Sequence, residues 1–381
     1  MNTIELLSPA GDFDSLVAAV QNGADTVYFG SSSFNARNSA TNFDLDELEK
    51  AIDYAKLRNV KTNLTLNTLI KENEFNDVLV LAKKAYEYGI DAIIVQDLGL
   101  ATFLHEHFPD LPLHASTQMT IHRLEGVKKL EKLGFSRAVL SRELSLEKME
   151  IEVFVHGALC ISYSGQCLFS SSIGARSGNR GKCAQSCRMS YTLLEKDVET
   201  NKEKTLDTGY LLSPRDLCGL EYLERLIQAG VTCFKIEGRM KTPEYVATVT
   251  RIYRKYIDNI LAGHPKEIAP KDQEDLLQVF NRGGFSTGHL NSEANQDLVF
   301  PQKPSNMGLY LGNVSNFNAN KGLISLPLNE PLAIGDTISF EKEESKYMVS
   351  ELMIQNKNVP KANSKDRVTI GRMKGNIRYW R

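Results

Sequence analysis

Eight short apolar runs recur through the first 240 residues, and most are separated by amphipathic stretches. The runs lie at 4–8, 26–30, 62–67, 92–96, 112–116, 137–141, 151–156 and 232–236, and they read as strands. Between them, residues 12–22 put Phe13, Leu16, Val17 and Val20 on one face of a helix, and 75–88 and 123–133 repeat that pattern. Gly23, Gly89, Gly134 and Gly230 each follow a helical stretch and precede a strand. Glycine suits that position because a helix often ends on a residue with positive φ. Eight strands alternating with helices predict an α/β fold of the (β/α)8 TIM-barrel type. A doubly wound open sheet is the second choice. Ser8-Pro9-Ala10-Gly11 follows the first strand where a G-x-G-x-x-G would stand, which argues against a Rossmann site.

The alternation breaks once. After 151–156 come about 55 residues with no ordinary helix, holding four cysteines and the polar run 195–208. This cysteine-rich insertion, residues 157–210, follows the C-terminal end of a strand, where barrel enzymes carry their chemistry. Helices are expected at 243–261 and 273–281. The predicted organisation is a catalytic barrel over 1–290, a linker over 291–305 with two prolines, and a small all-β domain over 306–381. That domain has β-like runs at 308–314, 322–326, 336–340, 347–351 and 367–370, which suit a small barrel or sandwich. The sequence stops just after a strand signal at 375–381, so the closing strand is expected to be absent or altered.

Cys160, Cys167, Cys183 and Cys187 fall within 28 residues with the spacing C-x6-C-x15-C-x3-C, and the only other cysteines are Cys218 and Cys233. The N-terminus lacks the pattern of a signal peptide. No stretch approaches the ~18 apolar residues of a membrane span. The expected compartment is the cytoplasm, where disulfides are rare. Thiolates are soft ligands, and four together suit zinc or an iron–sulfur cluster. Structural zinc more often uses two C-x2-4-C pairs, and only one pair here is that close, so a cluster fits the spacing better. Zinc and unligated thiols remain as alternatives. Ser190 occupies the third position of a C-x3-C-x2-C pattern, which excludes the radical adenosylmethionine arrangement. His156 precedes Cys160 by four residues and invites a Cys–His nucleophile. There is no H-E-x-x-H and no G-x-S-x-G.

Net charge is −2, so the chain as a whole is no polycation. Locally, Arg176, Arg180, Lys182 and Arg188 occur with no acid between 175 and 188, and residues 357–381 are also basic. Such patches can bind phosphates, although a solvated tail is the duller explanation. Polar residues recur at the strand ends: Asn63, Asn67, Gln96, Asp97, His114, Ser116, Gln118, Ser141, Arg142, Glu143, Lys235, Glu237 and Arg239. A barrel would gather them at one mouth. Arg37, Arg142 and Arg239 could grip carboxylates or phosphates with two-pronged hydrogen bonds.

The run from Phe154 to Cys167, FVHGALCISYSGQC, closely resembles the signature of peptidase family U32, the collagenase-like proteases. The resemblance continues through NRGKCAQSCR at 179–188, LLSPAG at 6–11, HASTQ at 114–118, LSREL at 140–144 and KIEGR at 235–239. Several members of this family are iron–sulfur proteins that hydroxylate RNA bases or the ubiquinone ring. The GKCAQSCR form is most similar to the branch that makes 5-hydroxyuridine at the wobble position of tRNA, with prephenate as hydroxyl source. The resemblance implies a 4Fe-4S cluster on Cys160, Cys167, Cys183 and Cys187, with Cys218 the alternative to Cys187 for the fourth position. The expected catalytic residues are His156, Arg142, Glu237 and Arg239. Arg37, Asn67, His114, Gln118, Arg176, Arg180, Lys182 and Arg188 are the expected substrate contacts, with Tyr163, Phe169 or Tyr191 available to stack on a base. Expected partners are tRNA and a second U32-family subunit, with no membrane. A peptidase, a partner-dependent subunit and a quinone hydroxylase are the competing functions.

Overall fold

The computed structural model describes residues 4–140, 150–264, 267–290, 298–318, 320–340 and 346–371. Arg142, the expected strand at 375–381 and part of the expected linker lie outside the described residues. The chain divides into two compact units, Met1–Pro304 and Ser305–Arg381.

Eight parallel strands close the first unit into a barrel: β1 (Glu5–Pro9), β2 (Thr26–Phe29), β3 (Lys61–Leu66), β4 (Ala92–Val95), β5 (Leu113–Ala115), β6 (Phe135–Val139), β7 (Glu150–Ala158) and β11 (Cys233–Ile236). Each pairs with the next in the order β11-β1-β2-β3-β4-β5-β6-β7, and β11 also pairs with β7, which joins the ends. The TIM-type barrel expected from the alternation is therefore the observed fold. Around it pack α1 (Phe13–Gln21), α2 (Leu45–Lys56), α3 (Phe75–Glu87), α4 (Leu98–His107), α5 (Leu124–Lys132), α7 (Leu223–Gln228) and the 19-residue α8 (Pro243–Leu261), followed by α9 (Pro270–Val279). Asp12 caps α1 by accepting from the Ser15 amide at 2.8 Å, and Asp44 and Glu47 form a reciprocal capping box on α2. The inward helix stripe, with Leu16, Leu48, Ile52, Val78 and Val249 fully buried, seals the outside of the barrel. Burying each such side chain contributes about 1.5–3 kcal/mol.

The barrel interior is not purely apolar. Glu5 on β1 reaches Arg137 on β6 through two bonds of 2.7 and 2.9 Å. These strands are not neighbours, so the contact crosses the interior. Glu152 on β7 accepts from Lys235 on β11 at 2.5 Å and lies 3.7 Å from Arg137. Burial alone would raise the Glu5 carboxyl, but the Arg137 bonds and charge outweigh it and hold it at about 2.

Two short strands extend the sheet beyond the barrel. The strand β10 (Asp216–Cys218) runs antiparallel to β7, and β12 (Phe285–Ser286) joins β10. The polar run of the insertion forms a hairpin, β8 (Tyr191–Lys196) with β9 (Glu203–Gly209), exposed along nearly its whole length. Within the expected linker, the amide of Phe300 bonds to Ser213 and the carbonyl of Pro301 accepts from Tyr210.

The second unit is all β. A five-stranded antiparallel sheet contains Asn316–Asn318, Leu323–Pro327, Arg367–Ile370, Leu352–Ile354 and Lys357–Asn358, with two further strand pairs beside it. Its own core holds Ile324, Leu326, Leu352, Val368 and Ile370. The run at 308–314 is not a strand; Gly308 and Gly312 both take positive φ there, which interrupts a ladder. The run at 347–351 likewise divides, with strands at Lys346–Met348 and Leu352–Ile354.

Candidate functional site at the barrel mouth

The C-terminal strand ends and the insertion enclose a cavity of about 190 Å³. The barrel contributes Tyr28, Arg37, Thr65, Asn67, Gln118, Phe154, Lys235, Glu237 and Arg239 to the wall. The insertion contributes Cys160, Cys167, Cys183 and Cys187. All four clustered cysteines thus meet the strand-end residues Asn67, Ser116, Gln118, Lys235, Glu237 and Arg239 in one place.

Several contacts pin the insertion across the mouth. Arg180 donates to the Leu69 carbonyl and to Glu74, both at 2.6 Å. Thr120 Oγ1 donates to the Ser164 carbonyl at 2.7 Å. Arg188 donates to Ser213 Oγ at 2.7 Å, to the Leu159 carbonyl at 3.2 Å and to the Pro214 carbonyl. Two glycines permit close backbone approach. A Cβ on Gly165 would lie 2.1 Å from the Gln118 carbonyl oxygen, one on Gly181 would lie 2.2 Å from that of Asn35, and both residues have positive φ.

The barrel side of the wall is tightly organised. Arg37 donates through Nε and Nη2 to Glu237 Oε1 at 3.2 and 3.1 Å, and that charge pair raises the Arg37 pKa. Arg239 is buried and donates to Thr65 Oγ1 and Asn35 Oδ1 at 2.9 Å and to Asn42 Oδ1 at 2.5 Å, while its Nε has no partner. Burial brings its guanidinium down to about 10. Lys235 Nζ lies 4.4 Å from the centre of the Tyr28 ring, a cation–π contact. Asn67 accepts from the Ala36 amide at 3.0 Å and donates to Ser116 Oγ at 3.3 Å.

Cys160, Cys167, Cys183 and Cys187 all line the one cavity. Among the described residues, no three His, Cys, Asp or Glu side chains converge as ligands of a single metal ion. Tetrahedral zinc with bonds near 2.3 Å would require sulfurs only about 3.8 Å apart. A cubane holds its thiolates farther apart, and four soft donors around one cavity fit its chemistry. Burial raises the Cys187 thiol, and the three other cysteines raise it further against the opposing effect of Arg188. A cationic centre would reverse that penalty by favouring the thiolates.

The other expected site residues are placed differently. His156 does not line the cavity. Because β7 extends to Ala158, position 156 lies within the strand, and its ring is enclosed by Tyr245, Tyr253 and Phe285 with Nδ1 3.2 Å from the Tyr253 hydroxyl. Burial depresses its pKa to about 3. His114 is also buried, its pKa brought to about 3 by burial and by the charge of Arg137, and it too is absent from the wall. Arg180 and Arg188 tie down the insertion. Arg176 and Lys182 are exposed on it and do not line the cavity. Cys218 lies 3.7 Å from the Tyr253 hydroxyl and is likewise not in the wall, so it is not placed as a substitute for Cys187. Of the aromatics, Tyr163 and Phe169 line the cavity, whereas Tyr191 stacks against Phe169. Tyr28 and Thr65 also line the cavity without having been singled out in the sequence, and Lys235, read there only as a strand-end polar residue, joins them. Their signal was position at a strand's C-terminal end.

Residues 11–299 match the model of peptidase family U32. Over 356 residues the chain is 36% identical to the 23S rRNA 5-hydroxycytidine C2501 synthase of Escherichia coli, covering 88% of this chain and 52% of that protein. It is 32% identical to tRNA hydroxylation protein P1 of Bacillus subtilis, covering 88% and 83% of the two chains. It is also 31% identical to a collagenase of Porphyromonas gingivalis, covering 97% and 95%. Among the described residues no helix is long and apolar enough to cross a membrane.

Proposed function

The chain belongs to peptidase family U32, and we propose that it is a cytoplasmic, iron–sulfur-dependent RNA hydroxylase that makes 5-hydroxyuridine at the tRNA wobble position, with prephenate as hydroxyl source. The observation that carries this reading is the meeting of four thiols with the Arg37, Glu237, Arg239 and Gln118 side chains in one cavity. Cys160, Cys167, Cys183 and Cys187 would hold the 4Fe-4S group. When bound, it supplies one-electron chemistry that no side chain offers.

The protein's own residues have separable tasks. Arg37 and Arg239 provide fixed positive charge for an acidic co-substrate, and Glu237 orients Arg37. Tyr28, Phe154 and Phe169 offer ring faces for a base drawn out of its stack. Exposed Arg176 and Lys182 suit contact with an RNA backbone. The size of the cavity, below the ~300–1,000 Å³ of drug-sized pockets, suits one ring or a small acid. A second U32-family subunit is a further expected partner.

The peptidase reading draws on the name of the Porphyromonas relative. The geometry gives it less: among the described residues no histidine lines the cavity to activate a cysteine. The decisive experiment measures iron and acid-labile sulfide per chain after anaerobic purification, with Cys160→Ala beside it, followed by nucleoside analysis of tRNA from a deletion strain. About four of each, lost in the variant, with 5-hydroxyuridine missing from the deletion strain, is the expected result. A protein free of iron after anaerobic reconstitution that still cleaves peptides overturns the proposal.

A further inference from the structure

Most polar groups of the cavity wall are already engaged. Arg37 is bonded to Glu237, Arg239 to Thr65, Asn35 and Asn42, and Lys235 to Glu152. Gln118 differs. Its Oε1 is buried and has no hydrogen-bond partner, although the residue lines the same cavity as the thiols. A buried amide oxygen without a partner is costly, so the position calls for a ligand or another reason.

The backbone behind this amide is held firmly. The Gln118 amide nitrogen donates to Ser116 Oγ at 3.2 Å. Its carbonyl accepts from Gln96 Nε2 and Thr120 Oγ1, both at 3.5 Å. Gly165 packs directly on that carbonyl, so the cysteine insertion and the β5 loop fix each other. The main chain thus places a side chain with an unpartnered Oε1 in the wall of a cavity that Tyr28, Phe154 and Phe169 also line.

We propose that Gln118 binds the hydrogen-bonding edge of a single pyrimidine base in the cavity and holds it for reaction, without choosing between uracil and cytosine. This rests on the RNA-hydroxylase reading above. Whichever way it is turned, a primary amide sets one donor beside one acceptor. Uracil presents N3–H beside O4, and cytosine presents its 4-amino group beside N3, so either edge complements the amide. A carboxylate in its place has two acceptors. It still receives N3–H of uracil or the amino group of cytosine, but its second oxygen opposes O4 of the one and N3 of the other, so it weakens both edges.

The test uses the full-length, anaerobically reconstituted protein with prephenate and paired tRNA anticodon-loop transcripts that differ only in U or C at the wobble position. Hydroxynucleosides are quantified by mass spectrometry for the wild type, Gln118→Ala and Gln118→Glu, with iron measured in each. Gln118→Ala is expected to lower product about 10-fold at limiting RNA with iron retained. Gln118→Glu is expected to lower both products by about 10-fold with their ratio little changed, the loss of one good base contact. Unchanged yield in both variants overturns the proposal. Loss of iron in both overturns it as well, since Gln118 would then support the cofactor and not the base. Failure of the wild type on both transcripts removes the hydroxylase reading itself, and this inference with it, and so is distinguishable from failure of the variants alone.

Discussion

The barrel interior handles charge in two ways. Deep inside, Glu5 pairs with Arg137 across two intervening strands, and Glu152 faces Lys235 and Arg137 from a strand that pairs with both of theirs, two acids against two bases. At the mouth, the buried Oε1 of Gln118 and Nε of Arg239 have no partners, and four thiols face a common cavity. A saturated network is what a core needs, because an unpaired buried charge is expensive. Unsatisfied groups beside a cavity are tolerated where something else completes them. The contrast is one of charges: unpartnered polar atoms also occur away from the mouth, at Asn63 Nδ2, His114 Nδ1 and His156 Nε2, but Gln118 and Arg239 differ from these in lining a cavity.

The largest effect is expected in the deep layer. Glu152→Ala leaves Lys235 and Arg137 short of a counter-charge and should cost about 3–5 kcal/mol, enough to unfold a marginal protein. Urea denaturation followed by circular dichroism measures it. Cys160→Ala at the mouth should change the stability of the iron-free protein by no more than about 0.5 kcal/mol, because the side chain is exposed, while abolishing iron retention. If the two substitutions cost the same in iron-free protein, the division between layers is wrong.

Acid should attack the deep histidines next. His114 and His156 are held near 3 against an ordinary value of 6.5, so between those limits the unfolded chain binds protons that the folded chain refuses. Their contribution is complete above 6.5 and is lost as pH falls towards about 3. Glu5, held at about 2 against an ordinary 4.5, adds a loss over the window between those two values. Denaturant midpoints taken from pH 7 to pH 4 should fall steadily. A His156→Phe variant should show a shallower slope, and an unchanged slope would show that burial of this ring does not govern its protonation.

A smaller effect is expected where the insertion meets the barrel. Gly165→Ala and Gly181→Ala each combine a positive φ with a Cβ pressed on a backbone oxygen, so each should cost about 1–3 kcal/mol locally. The barrel should keep its circular dichroism while limited proteolysis within 157–210 accelerates and iron is released faster. Uniform destabilisation of the whole unit would mean that insertion and barrel form one cooperative body.

The same contrast explains what the sequence disclosed. The barrel was legible because strands buried on both faces and helices with one apolar stripe leave different periodicities, and 92–96 or 232–236 needed no knowledge of partners. The four cysteines were legible as a group because their spacing is unusual. His156 misled because its position beside the cysteines suggested the mouth, whereas the length of β7 and the aromatic residues of α8 decide where its ring goes. Arg180 and Arg188 read as contacts for phosphate, and only the fold shows their acceptors at Leu69, Glu74, Ser213 and Leu159. The Glu5–Arg137 pair spans 132 residues of sequence and two intervening strands, a distance no local pattern encodes.

The smallest effect belongs to the exposed hairpin of the insertion. Lys196 and Glu203 face each other across β8 and β9 at 3.9 Å, with both side chains more than half exposed. Water screens such a pair, and ordering two long side chains offsets the little attraction left, so Lys196→Ala should change stability by less than about 0.5 kcal/mol. The thermal midpoint of the purified protein checks this. The ribbon's leucines at 193, 194 and 206 are about half exposed, so nothing among the described residues gives the pair a drier setting. A clear drop in the midpoint would therefore mean that the hairpin is covered in solution. In that case the division between paired interior charges and open mouth would have to include a contact on the insertion's outer face.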